Sequence, residues 1–136
     1  MSQLQNIFDD KQLIAIVIPK DLEVEGSKFI TPLDFPFQVG LLAHPAKTEL
    51  KAHSHKKLKI ETDIFQEVLI ILTGKVEIDL YGMDNKLLTS VFLDAGDSIL
   101  FVEGGHGVRI IDDARILEVK QGPYPGDAEA KIFIDK

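Results

Sequence analysis

The chain has 136 residues, of which 45% are hydrophobic and 27% charged, with a formal net charge of -7. That length supports a single domain over residues 1–136, the hydrophobic content is too high for a disordered chain, and the acidic balance opposes general nucleic-acid binding, which needs a basic face. The chain has no cysteine, so disulfides, thiolate metal ligands and thiol nucleophiles are excluded, and the chemistry falls to oxygen and nitrogen groups.

The N-terminal residues lack the basic start and apolar core of a secretory leader, and no run reaches the roughly 20 apolar residues of a membrane span, which predicts a cytoplasmic protein with no membrane partner. Beyond them the chain reads as short apolar stretches separated by turn residues, the pattern of an all-β sandwich or barrel. The first predicted strand is Leu13 to Pro19, rich in isoleucine and preceded by Asp9-Asp10-Lys11, a weak start signal. Lys28 to Thr31 and Phe37 to Ala43 follow, with Pro32 and Pro36 forcing an irregular connection between them. Thr48 to His55 alternates again through Leu50 and Ala52.

Phe65 to Leu72 is apolar on both faces except for Glu67, a carboxylate that in such a setting requires a partner. Thr73-Gly74 reads as a turn, Lys75 to Tyr81 as an alternating strand, Gly82 to Asn85 as a second turn, and Leu87 to Leu93 as its return. Ser98 to Val102 leads into Glu103-Gly104-Gly105-His106-Gly107, where the glycines leave room for a ligand or for close backbone approach. Val108 to Ile111 and Arg115 to Lys120 read as a last hairpin around Asp112-Asp113-Ala114, with Leu117 and Val119 facing the interior, and Lys131 to Ile134 as a terminal docking strand. No helix longer than a turn or two is predicted.

The candidate site lies in the stretch from Ala52 to Gly74. Side chains two apart on a strand face the same way, so His53 and His55 point together. If Glu61-Thr62-Asp63 turns the chain, His55 faces Leu69, Lys57 faces Glu67, and Glu67 lies diagonally across from His55, within reach of one ion. Two imidazoles and a carboxylate suit a divalent transition metal, with zinc, iron, manganese and nickel equally served. The competing reading of Glu67 is a salt bridge to Lys57, and the competing reading of the histidines is a solvated arm crowded with lysines.

His-x-His followed by the glutamate of EVLIILTG resembles the first motif of the cupin family, at about residues 51–74, and Gly96-Asp97 through Gly104-Gly105-His106-Gly107 resembles the second, at about 96–110. Eleven residues separate His55 from Glu67, more than the family usually has, and Val102 and Ile110 stand where the family has proline and asparagine. The resemblance implies a single jelly-roll β-barrel of two antiparallel sheets, with a metal held at its mouth by His53, His55, His106 and Glu67, and it implies a homodimer.

On that footing the expected function is metal-assisted action on a small polar molecule, with low-ranked substrate contacts at Lys120, Gln121 and Tyr124. The alternatives are a metal-independent sugar or nucleotide-sugar isomerase or epimerase, in which His53 or His55 works with Tyr124, and a non-catalytic ligand-binding module.

Overall fold

A computed structural model describes residues 2–135. Its strands are β1 (Gln5–Asp9), β2 (Gln12–Ile18), β3 (Gly26–Phe29), β4 (Gly40–Ala43), β5 (Glu67–Tyr81), β6 (Leu87–Asp94), β7 (Ser98–Phe101) and β8 (Gly105–Lys120), and its one helical turn is α1 (Asp127–Ala130). No helix among the described residues is long and apolar enough to cross a membrane. The fold is all-β, as the alternation predicts.

The chain forms two compact units, one from the described residues up to Leu22 together with Phe65 onward, the other from Glu23 to Ile64. The smaller unit contains the β3–β4 hairpin, paired from Gly26–Ala43 to Phe29–Gly40. Beyond it, residues 44–64 form no strand and are exposed. The strand expected at Thr48 to His55 is therefore absent, and so is its hairpin with the Glu67 strand. Lys51, Lys56, Lys57 and Lys59 crowd this stretch, and hydration of those charges opposes its burial in a sheet.

The larger unit is a curled antiparallel sheet. β2 pairs with β1 on one side and β7 on the other, and β7 joins the first half of β5. β6 takes the second half of β5 on that same side, while β8 pairs with β5 along nearly its whole length on the other. β1 falls where the sequence predicts no strand, and Asp10-Lys11 makes its tight turn into β2, with Asp10 at φ 53. Aspartate is among the few residues that enter the left-handed region readily.

The two turns expected at Thr73-Gly74 and Asp112-Asp113-Ala114 are not chain reversals. β5 and β8 run straight through them, and because the strands pair in register the two signals lie opposite each other, Thr73 against Arg115 and Lys75 against Asp112. Together they make a shared β-bulge in one long ribbon, which bends it and shifts the face pattern. Before the bulge the odd residues Leu69 and Ile71 face the core; after it the even residues Val76, Ile78 and Leu80 do. Ile14, Ala15, Val17, Leu93 and Ile99 complete that core.

On the convex side of the ribbon, Arg109 binds Glu77 Oε1 through Nη2 at 2.7 Å and both oxygens of Asp79, which is 5% exposed and also accepts from Ser90 Oγ at 2.6 Å. Arg109 thus points away from the core, as alternation from an inward His106 requires. Arg109→Met should lower the urea midpoint without changing the slope of the transition, because it removes donors from a buried carboxylate while leaving the surface exposed on unfolding the same.

Candidate functional site

His106 is the second residue of β8, opposite Leu80 on β5, and Glu67 is the first residue of β5. On a straight strand Glu67 and Leu80 would stand roughly 40 Å apart. Instead His106 Nε2 lies 2.7 Å from Glu67 Oε1, because the bulge folds the ribbon back on itself. Phe101, the β7 residue paired with Glu67, lies flat against the imidazole with ring centroids 3.7 Å apart and an interplanar angle of 2°.

Three forces act on the Glu67 carboxyl. Burial, the largest, pushes its pKa up; the hydrogen bond and charge of His106, together with the charges of Lys120 and Lys131, push it down and prevail, leaving it below its ordinary 4.5. Its side chain is 9% exposed and that of His106 is 31% exposed, so the carboxylate is the inner member of the pair and the imidazole the accessible one. The second ring nitrogen of His106 has no hydrogen-bond partner among the described residues.

The pair lines a cavity of about 720 Å³. Leu69, Ile116, Glu118 and Lys120 form the ribbon wall, and the C-terminal segment at Ile132, Phe133 and Ile134 forms the facing one. Glu118 and Lys120 face inward, and Leu117 and Val119 face outward at 48% and 43% exposure, the reverse of the orientation expected from hydrophobicity. The physical reason is that this end of the ribbon borders an open cavity, where charged groups stay hydrated.

Lys120 Nζ lies 3.0 Å from Glu118 Oε2 and 4.3 Å from the centroid of the Tyr124 ring. Its pKa is raised, first by the hydrogen bond to Glu118. The Tyr124 hydroxyl donates to Asp127, which also meets Lys131 Nζ at 3.3 Å. That hydrogen bond is the main reason that the Tyr124 pKa is raised and the Asp127 pKa lowered. The terminal segment expected as a strand at Lys131 to Ile134 pairs with none, and acts as a cavity wall instead, with Ile134 seated where a side chain on Gly105 would be, 2.5 Å from its Cβ position.

Of the four expected metal ligands, Glu67 and His106 are brought together in the larger unit. His53 and His55 lie in the smaller one, where their rings meet edge-on at 5.0 Å and His53 Nδ1 is 3.0 Å from the Lys51 carbonyl oxygen. Glu67 has no strand partner at Lys57; its cross-strand neighbours are Phe101 and Lys120. Among the described residues no group of three or more His, Asp or Glu side chains is arranged to hold a metal ion.

Lys120 and Tyr124 line the cavity, whereas Gln121 accepts a hydrogen bond from the Gln66 backbone N–H at 2.8 Å. His44 meets Ser27 Oγ at 3.0 Å. Sequence reasoning misses Phe101 and Lys131: Phe101 looks like any alternating core residue, and nothing local to Lys131 indicates where the terminal segment runs. No family model, curated protein or solved structure matches the chain.

Proposed function

We propose that the cavity of the larger unit binds a small molecule with an apolar body and a polar head, and that His106, backed by Glu67, exchanges a proton with that head. The observation that carries the reading is the position of the pair: a buried carboxylate behind a partly exposed imidazole on the wall of a cavity of ligand size. Glu67 orients the ring through its hydrogen bond to Nε2, while the second ring nitrogen is left to meet the ligand. Lys120 and Tyr124 stand across from the apolar terminal segment and supply further polar contacts. This is the metal-independent isomerase or epimerase type of chemistry, with His106 and Glu67 in the role expected of His53 or His55.

A thermal-shift screen of small organic acids, sugars and nucleotide-sugars tests it. A true ligand at about a hundred times its Kd adds about 2.7 kcal/mol, which raises the melting temperature by several degrees. The shift should disappear in His106→Ala. Equal shifts in both proteins, or none from any compound class, would count against the site.

A second reading puts a divalent transition metal between the two side chains: donors about 2.1 Å from a tetrahedral ion stand about 3.4 Å apart, so Glu67 and His106 would have to separate from their 2.7 Å hydrogen-bond distance to hold one. Here Glu67 and His106 would hold the ion, which would act as a Lewis acid on the bound head group. Elemental analysis of the purified protein before and after reconstitution decides it, with Glu67→Ala and His106→Ala each expected to lose the metal. We also read the curled sheet as part of a jelly-roll barrel of the cupin kind, a reading supported by EVLIILTG and the glycine-flanked His106.

A further inference from the structure

The chain that follows β8 is tied back to that strand at both of its ends. At Lys120, the last residue of β8, the ammonium lies 4.3 Å from the centroid of the Tyr124 ring, whose hydroxyl donates to Asp127, and Asp127 in turn meets Lys131 Nζ at 3.3 Å. At Gly105, the first residue of β8, Ile134 occupies the niche that a side chain would fill. Between these ties the chain is held by little. α1 has no buried residue, and Ile132 and Phe133 are 88% and 76% exposed and make no hydrogen bond among the described residues. A segment with so few contacts moves at low cost in free energy.

Single exposed apolar side chains are ordinary on a protein surface. These two are adjacent, line the cavity, and share it with Leu69, Phe101 and Ile116. Apolar side chains that line a cavity and yet remain in water have nothing packed against them on the cavity side. We propose that residues 131–134 form a strap that closes on the ligand, with Ile132 and Phe133 packing on its apolar body while Ile134 stays seated against Gly105. The proposal rests on the reading that this cavity binds a molecule with an apolar body, and it names the groups that cover that body. The occupant is a small molecule with an apolar ring or short chain, because a cavity of about 720 Å³ is of that size.

The gain from closure falls on the complex alone. In the free protein both side chains stay in water and stabilise nothing, whereas a ligand beneath them removes their apolar surface from water. The strap therefore discriminates between the open and the closed arrangement only when the cavity is filled. The two ties keep its ends in place, so closure requires movement of the two residues between them and not of the whole terminal segment.

Fluorescence titration of the full chain with anilinonaphthalene sulfonate, an aromatic body with an acidic head, tests the strap. I132S/F133S should raise the probe Kd about tenfold or more, mainly through faster dissociation. Ile134→Ala, which empties the niche at Gly105, should raise it in the same sense. The melting temperature of unliganded I132S/F133S should equal that of wild type, because both side chains are already exposed. At one saturating probe concentration the wild type should melt higher than the double variant. Wild-type probe affinity in either variant, or a lower melting temperature of the unliganded double variant, would overturn the strap and leave the cavity reading standing. Binding of the probe by neither wild type nor variants would overturn the cavity reading, and the strap with it.

Discussion

Gly74→Val should be the most destabilising single exchange in the larger unit, lowering stability by about 3 kcal/mol or more and shifting the urea midpoint accordingly. Gly74 sits at φ 86, where a residue with a Cβ costs about 1–2 kcal/mol before any contact is considered. The contacts add to this: a Cβ there would run into the Asp113 carbonyl oxygen and come within 2.7 Å of Ala114 Cα. Both are backbone atoms of the paired strand, so neither can rotate away. Against a total stability of about 5–15 kcal/mol for an ordinary domain, this is a large fraction.

The consequence extends to the cavity, because the bulge at Gly74 is what brings Glu67 and His106 together from opposite ends of the ribbon. Gly107→Ala is the control. Nothing lies within 4 Å of a Cβ at that position, and its backbone is not in the left-handed region, so the exchange should fall within about 0.5 kcal/mol of wild type. Similar midpoints for the two variants would refute the assignment of the bend to Gly74.

The same glycine shows what can and cannot be read from the chain alone. Alternation over Lys75 to Tyr81 and the isoleucine-rich run after Gln12 identify strands correctly, because burying one or both faces of a sheet demands those patterns. Thr73-Gly74 and Asp112-Asp113-Ala114 are equally visible as breaks in pattern. Whether a break reverses a chain or bends it depends on what lies opposite, and local sequence does not carry that information. The sequence places Glu67 and His106 in one set, though for a geometric reason that the fold does not supply: it puts Glu67 in a hairpin with His55, yet β7 and β8 are its neighbours.

The orientation of the last strand is reversed for a related reason. Hydrophobicity alone puts Leu117 and Val119 inside, which is the correct choice for a closed core and the wrong one at the rim of an open cavity.

Glu67→Gln should flatten the acid limb of stability that this carboxyl contributes, and His106→Ala should invert it. In the wild type the folded Glu67 carboxyl titrates below its ordinary 4.5. The unfolded state therefore takes up its proton first as pH falls. The pair's contribution is present above that ordinary value and is lost as pH falls through the lowered one. A glutamine in its place has no charge to lose, so Glu67→Gln should be less stable than wild type at neutral pH by about 1–2 kcal/mol, the worth of a hydrogen bond to a charged group at a partly exposed imidazole. The difference should vanish at low pH.

His106→Ala removes the two strongest influences that lower the carboxyl and leaves burial, the largest and opposing one, set against only the weaker charges of Lys120 and Lys131. The carboxyl should then titrate above its ordinary value in the folded state. The sign inverts: its contribution is now greatest at low pH and declines as pH rises through the unfolded value toward the raised folded one. Urea midpoints of the three proteins between roughly pH 3 and 7 give the comparison. Side-chain carboxyl NMR of Glu67 in wild type and His106→Ala reads the two titrations directly. Parallel acid limbs in wild type and His106→Ala, with the Glu67 resonance titrating at the same pH in both, would show that the imidazole does not hold the carboxylate and would remove the basis for treating the two as a proton-exchanging pair.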